Sequence, residues 1–571
     1  MASHASRALL VGAMLVPVAT ATRQDRSVVT LYQPGEEHAW VFEQDGKRVG
    51  WHVLRYEGAV GPVGTAIHHF VGRVEIDSMP QVGLPRQRYL GDLFTDGSGH
   101  PVRQVLEATI GDAYSRVELS IAEGKAAAEV VQGPSKKQLS IDVPDGVFLQ
   151  ANNFIGYFEL MLALSPVDAK TIEASLLACN GLQVLPYHAK EIGKLETQDG
   201  AKVAGSKLED SLGQVISLAA DGRLLGIEMP AQKLRILPSK EQFEAFSIEP
   251  PETAPAATDL DVEPVEIRHE GVVLAGEISR PRGASGRLPA VFFISGSGLQ
   301  DRNGYSSGID LGTHEILDRL TREGFLVLRV DDRGAGESKA PVASLSFDDL
   351  IADARACVDH LFARDDVDPE RIALIGHSEG GCTAPILAAE QPRIAAVVLM
   401  AATGRPIQDV ILEQNGQALD LAGIKGKERE KILADVQRYL DLVSGDAKIE
   451  PDEIPADYRD LLTFRPWLQS HARQDQRANL QRVHCPVLIL QGAKDFQVSP
   501  ERDARLIAKT LDEAGHTDHQ LVVLPDLDHL FKRVKGERSE LAEYFERRPV
   551  DPSFLDALVK WLAEHLHVKG G

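Results

Sequence analysis

The segment Gly376-His377-Ser378-Glu379-Gly380 constrains this chain more than any other. It follows the apolar run Ile372-Ala373-Leu374-Ile375 and precedes small residues, Gly381-Cys382-Thr383-Ala384-Pro385, that can open a helix. A Gly-x-Ser-x-Gly between a strand and a helix is a nucleophile elbow. The chain must turn sharply there, the glycines leave room for a strained backbone, and the serine hydroxyl is presented at the sheet edge. Such a match arises by chance in many chains, so its weight comes from the strand before it and from partners downstream.

A hydroxyl is a weak nucleophile at neutral pH and needs a base in hydrogen-bond reach, itself oriented by a carboxylate. For a serine on such an elbow the chain order is serine, acid, histidine. The acid candidate is Asp495, in Gly492-Ala493-Lys494-Asp495-Phe496-Gln497-Val498, just beyond a strand predicted over 487–490. The base candidate is His529, in Leu524-Pro525-Asp526-Leu527-Asp528-His529-Leu530-Phe531, just beyond a strand predicted over 521–524. Catalytic groups of parallel sheets collect at the carboxyl ends of the strands. His484, His516 and His519 precede their strands and are expected near the opposite edge, in solvent. Asp526 and Asp528 share the loop of His529, where local turn bonding is the simpler reading, and stay as minor alternatives to Asp495.

An acyl-transfer site also needs backbone donors for the developing oxyanion. One is expected to be the amide of Glu379. The second is expected from the loop Ser295-Gly296-Ser297-Gly298-Leu299-Gln300-Asp301-Arg302, which follows a strand predicted over 290–294, and Ser297 is the preferred donor. The stretch Asp331-Asp332-Arg333-Gly334-Ala335-Gly336-Glu337-Ser338 has neither the Lys-Ser/Thr ending of a phosphate loop nor dinucleotide-site spacing, and reads as a structural turn beside the site. No His, Cys or acidic cluster has metal-ligand spacing, so neither metal nor cofactor is implied.

With 571 residues the chain is long for one core, and two domains are expected. Residues 27–248 read as short strands separated by turns. Val41-Phe42-Glu43-Gln44, the turn Asp45-Gly46, and Arg48-Val49-Gly50-Trp51-His52-Val53 form a hairpin pattern. Further turns are expected at Asp96-Gly97, Gly111-Asp112, Asp199-Gly200 and Asp221-Gly222, with a helix near 153–164. A mainly antiparallel β domain follows from this pattern, and no propeller repeat is present. Residues 249–258 are Pro-rich without apolar periodicity and read as a linker. From 259 to 571 strands alternate with amphipathic helices, the mark of a parallel α/β sheet. Strands are also predicted over 326–330, 372–375 and 395–400, and helices over 349–363 and 553–566. An insertion over about 405–482, helical in 427–442, sits where a lid can grow over the site.

The formal charge of −23 argues against nucleic acid or an anionic membrane as partner. Four scattered cysteines, Cys179, Cys357, Cys382 and Cys485, read as small buried residues. Residues 1–26 resemble an export signal: Arg7, an apolar stretch from Ala8 to Val18, then Ala19-Thr20-Ala21. The expected location is periplasmic or extracellular, with a cytoplasmic protein as the alternative. The apolar stretch is too short to span a bilayer.

Four segments taken together, 295–303, 331–338, 376–381 and 529–531, resemble those of bacterial serine carboxylesterases of the α/β-hydrolase superfamily, near the acylaminoacyl-peptidase branch. The resemblance covers about 259 to the C-terminus. It implies an α/β-hydrolase domain, a triad of Ser378, Asp495 and His529, and hydrolysis of carboxylic esters with short to medium acyl groups, with a small-molecule ester as partner. Ser295 departs from it, since many relatives carry His there. Two other functions stay open: a serine peptidase or aminoacyl-ester hydrolase using the same triad, and an envelope ligand-binding protein whose N-terminal β domain is the working part.

Overall fold

The computed structural model describes residues 28–568 apart from 61–65, 79–82, 152, 165–169, 180–181, 199–200, 212, 220–222, 251–256, 340–341, 343 and 451–452. The expected export signal, most of the expected linker, and the turns at Asp199-Gly200 and Asp221-Gly222 lie outside the described residues. The chain divides into two compact units, Met1–Glu252 and Thr253–Gly571.

The first unit is one 15-stranded sheet. Its first eight strands, from Glu37–Gln44 to Ser135–Asp142, pair each with the next. The last strand, Leu234–Ser239, returns to pair antiparallel with the first, and the second half of the sheet runs outward from it. Asp45 and Gly46 both take positive φ, 50° and 73°, the backbone that a two-residue hairpin between right-twisted strands requires. The pairing is antiparallel throughout except between Phe148–Gln150 and Thr171–Ala178, which run parallel. The helix Ile155–Leu164, whose one charged residue is Glu159, is buried on most of its surface, and that carboxylate is met by His38 Nδ1 at 2.9 Å. The helix packs against Phe148–Gln150, Lys47–Val60 and Leu224–Met229, so strands from both the middle and one end of the sheet order hold it. Gly72 and Gly91 face each other across two strands. A Cβ on Gly72 would lie 2.5 Å from the Phe154 ring, and one on Gly91 2.5 Å from the Tyr157 hydroxyl. The glycine pair is therefore the seat on which the start of the helix rests.

The second unit holds an eight-stranded sheet. Its strands, numbered here within this unit, are β1 (Leu260–His269), β2 (Val272–Pro281), β3 (Leu288–Ile294), β4 (Leu326–Val330), β5 (Val367–His377), β6 (Ile394–Met400), β7 (Val487–Gly492) and β8 (His519–Leu524). They lie in the order β1-β2-β4-β3-β5-β6-β7-β8, with β1 and β2 antiparallel to their neighbours and the rest parallel. The hairpin of β1 and β2, turned at Glu270-Gly271 with φ 44° and 81°, was not foreseen: its alternation of charged and apolar residues belongs to an antiparallel edge, not to the buried runs that mark the central strands. Helices α1 (Thr313–Arg322), α2 (Phe347–Phe362), α3 (Gly380–Glu390), α4 (Ile407–Leu421), α5 (Gly426–Ser444), α6 (Arg465–Ala472), α7 (Gln476–Gln481), α8 (Arg505–Glu513) and α9 (Pro552–His565) complete it.

Strand periodicity of two divides each central strand between two cores. Ala290, Phe292 and Ile294 of β3 join Leu374, Leu399 and Ile489 beneath Phe347, Cys382 and Ile507 from α2, α3 and α8. Val291 and Phe293 join Ile375, Val398 and Leu490 beneath Leu317, Leu320, Phe554 and Leu558 from α1 and α9. Each fully buried aliphatic or aromatic side chain contributes about 1.5–3 kcal/mol, which makes this sandwich the rigid frame of the unit. Strand order reverses around β3: the chain passes from β3 to β4 on one side and then to β5 on the other. A crevice opens beyond the carboxyl ends at such a switch point.

Candidate active site

Ser378 follows β5 at this switch point. Its φ of 53° lies in the left-handed region, which costs a side-chain-bearing residue about 1 kcal/mol or more and is retained where geometry demands it. Its amide donates to the carbonyl of Met400 on β6 at 2.8 Å. The glycines around it answer to close approach. A Cβ on Gly376 would lie 2.3 Å from the carbonyl oxygen of Gly380, and one on Gly380 2.2 Å from that of Ile294. The sharp turn thus packs directly on the end of β3, and α3 starts at once.

Asp495 follows β7 and His529 follows β8. Their side chains meet, with His529 Nδ1 2.8 Å from Asp495 Oδ2 and both nearly fully buried. Asp495 Oδ2 also accepts from Gln491 Nε2 at 2.8 Å, and Oδ1 from the amides of Gln497 and Val498 at 2.7 and 3.0 Å. A carboxyl ringed by N–H donors serves as a pure acceptor, so the proton of this pair sits on His529 Nδ1 and Nε2 is left as the basic nitrogen. His377, beside Ser378, donates from Nε2 to the carbonyl of His529 at 3.0 Å, and the two rings lie 4.8 Å apart. Burial, then the neighbouring His529, hold His377 down to about 3, so it stays neutral.

Asp528 does what its loop position suggested. It accepts the amides of Leu530 and Lys532, each at 2.9 Å, and an Arg548 guanidinium N–H at 2.8 Å, and so shapes the turn that carries His529. Asp526 pairs with Lys494 at 3.1 Å. His484 is exposed, and His516 and His519 are half-buried and bonded to the carbonyls of Cys485 and His516 at the far edge of the sheet.

The loop after β3 is clamped by the turn after β4. Ser295 Oγ donates to Asp332 Oδ1 at 2.5 Å and the Gln300 amide to Asp332 Oδ2 at 2.8 Å, so one carboxyl holds both ends of 295–300. Arg302 is fixed in turn by Asp331, through its amide at 2.7 Å and its guanidinium at 2.7 and 3.0 Å. Gly296 approaches the nucleophile side: a Cβ there would lie 3.2 Å from Ser378 Cβ. Ser297 is exposed, one residue further along the loop. Loss of water pushes Asp332 up to about 7, against the Ser295 and Gln300 bonds and with help from nearby Glu379. Glu379 is buried at the start of α3, and burial pushes it up to about 7 as well, moderated by a hydrogen bond from Trp467 Nε1 at 2.6 Å.

Trp467 belongs to the insertion 405–482, whose helices α4 to α6 build a small core of their own from Ile407, Val436, Leu440, Val443 and Leu468. Tyr458 lies in that core against Tyr439, with ring centroids 5.6 Å apart, and Phe464 is 52% exposed. Of these three aromatics, then, Trp467 is the one that reaches the Ser378 turn. His377, Asp332 and Gln491 were missed by sequence reasoning: the first is an unspecified position of the Gly-x-Ser-x-Gly pattern, and the other two sit in strand ends whose partners are distant in sequence. Among the described residues no group of His, Cys, Asp or Glu is placed to hold a metal ion, and no helix is long and apolar enough to cross a membrane.

Residues 310–532 match the family model described as serine aminopeptidase, S33, a span that contains Ser378, Asp495 and His529. Over 134 residues the chain is 33% identical to the Bacillus subtilis protein YtaP, covering 21% of this chain and 45% of that one. Over 250 residues it is 28% identical to the non-heme haloperoxidase of Rhodococcus erythropolis, covering 41% and 86%. The solved esterase Pf2001 of Pyrococcus furiosus is 18% identical, with 57% of this chain and all of that one covered at a TM-score of 0.36. The chain thus spans about half the length of the Bacillus relative. The C-terminal half of this chain has the α/β-hydrolase fold.

Proposed function

We propose that the protein is a serine carboxylesterase acting on esters with short to medium acyl groups. The observation that carries this reading is the buried His529–Asp495 pair, joined through His377 to the strained turn of Ser378. His529 Nε2 takes the Ser378 hydroxyl proton as the oxygen attacks the ester carbonyl. The imidazolium then gives that proton to the departing alkoxide, leaving an acyl-serine. Water, deprotonated by the same nitrogen, attacks the acyl-serine; its proton returns to Ser378 as the acid leaves. The amides of Glu379 and of Ser297 are the assigned oxyanion donors. We place the protein outside the cytoplasm, on the export-like sequence of residues 1–26.

A second reading, cleavage of aminoacyl esters or amides, is favoured by the match to the serine aminopeptidase model. Initial rates on p-nitrophenyl acetate, butyrate, octanoate and palmitate, set against aminoacyl p-nitroanilides with Ser378→Ala as blank, separate the two. Fast turnover of short esters supports the esterase; anilides turned over above the esters would replace it with the peptidase.

A further inference from the structure

Glu379 is a costly residue to keep where it stands. Its side chain is 8% exposed, and the one basic group within 4 Å among the described residues is His471, at 3.8 Å and outside hydrogen-bond reach. Among the described residues a neighbouring carboxyl, Asp332, is of like sign, and Glu379 adds to the burial that raises it. A carboxyl buried beside another carboxyl destabilises a fold, and such groups concentrate where a site uses them. Its hydrogen-bond partner comes from a different element, the lid helix α6. Trp467 packs on the lid core and on the sheet core together, and its indole N–H meets Glu379 Oε1 at 2.6 Å. The same helix is fastened to α2 by Ser470 Oγ, which accepts the Phe347 amide at 2.7 Å, and by His471 stacked on Phe347 at 4.1 Å.

We propose that Trp467 and the Glu379 side chain are a positioning pair, through which the lid fixes the residue after Ser378 and so aims its backbone amide at the developing oxyanion. The inference rests on Ser378 as nucleophile. Side chain and amide belong to one residue at the first turn of α3, so a carboxyl held from outside restrains rotation of the peptide that carries the donor. A misaligned oxyanion donor is costly in rate, and a substrate-dependent lid movement would be felt there first. The groups facing Glu379 are the Trp467 indole and His471 from α6, Asp332 from the turn after β4, and Cys382 from α3. Burial holds His471 down to about 4 and pushes the Cys382 thiol up to about 12, so near neutrality Asp332 is the titrating neighbour. The ionised carboxylate accepts the indole proton more strongly than the acid does.

The test is the rate at which a fluorophosphonate probe labels Ser378, followed from pH 5.5 to 9 in the full-length protein, with Trp467→Phe, Glu379→Gln and Glu379→Ala. The probe senses nucleophile and oxyanion geometry whatever the natural substrate is. Trp467→Phe should label roughly tenfold more slowly at pH 8, the loss expected for a hydrogen bond to a charged group. Its acid limb should also move to higher pH, because the indole bond lowers the Glu379 pKa. Glu379→Gln keeps an oxygen for the indole but loses the charge, so its pH 8 rate should fall between those of wild type and Glu379→Ala, and the Glu379 contribution to the limb should be lost; Glu379→Ala should resemble Trp467→Phe in rate. Wild-type rate and profile in both Trp467→Phe and Glu379→Ala would overturn the pair, as would Glu379→Gln as slow as Glu379→Ala. Thermal melts keep loss of fold apart from loss of aim. Failure of the ester panel would sink the ester reading and leave this test intact; an unlabelled Ser378 in the wild-type protein would sink the pair together with its nucleophile.

Discussion

His377 donates its Nε2–H to the backbone carbonyl of His529 at 3.0 Å, so the residue before the elbow serine holds the loop that carries the imidazole. Two strand ends that lie far apart in sequence are locked together by one neutral imidazole. His377→Leu removes the donor and leaves that carbonyl unpaired. On the proposed mechanism, kcat for p-nitrophenyl butyrate should fall about threefold to tenfold, with KM little changed, the cost of a buried neutral hydrogen bond. An unchanged kcat would show that the loop holds itself.

Asp495→Asn replaces a pure acceptor with a group that also donates, and the tautomer of His529 is no longer imposed. The expected loss in kcat is about 10³–10⁴-fold, with far-UV circular dichroism unchanged. Asp528→Asn should affect thermal stability more than the chemical step, because Asp528 binds backbone amides and Arg548 instead of the imidazole.

Stability should report the burial of Glu379. Its folded value, about 7, is raised above the ordinary 4.5 by burial, so the folded state holds the proton more tightly than the unfolded one. The stabilisation is complete below 4.5 and is lost as the pH rises to about 7, a change of up to about 3 kcal/mol. Glutamine does not titrate. The melting temperature of Glu379→Gln relative to wild type should therefore rise from pH 5 to pH 8, and a difference independent of pH would contradict the buried carboxyl.

Asp332 holds both ends of the loop after β3. Asp332→Ala should slow turnover more than Ser295→Ala, because the first frees both the Ser295 hydroxyl and the Gln300 amide and the second removes one of the two bonds. Expected losses are roughly tenfold or more against about threefold. Equal effects would place the role of the clamp in Ser295 alone.

The elbow, the central strands and the insertion were legible because each rests on local pattern. Ile372 to Ile375 is a buried run ended by glycine, and 326–330 coincides with the observed Leu326–Val330. The edge hairpin of β1 and β2 was not legible, since Asp261, Glu263 and Glu266 dilute the apolar signal of a strand with one wet face. Asp495 and His529 could be paired on paper by strand ends and chain order, and their side chains are in contact in the structure. Glu379 with Trp467, and Ser295 with Asp332, could not be paired in this way. Their meeting depends on how a lid and two loops pack in three dimensions, which neither spacing nor periodicity encodes.

The most direct test of the account is to trap the covalent intermediate. The protein is mixed with p-nitrophenyl butyrate, quenched in acid within the first turnovers, digested, and its peptides weighed by mass spectrometry. The account predicts a butyryl group on the peptide containing Ser378, absent in Ser378→Ala and accumulating with the first burst of p-nitrophenol. Turnover with the acyl group on another residue, or undiminished in Ser378→Ala, would contradict it.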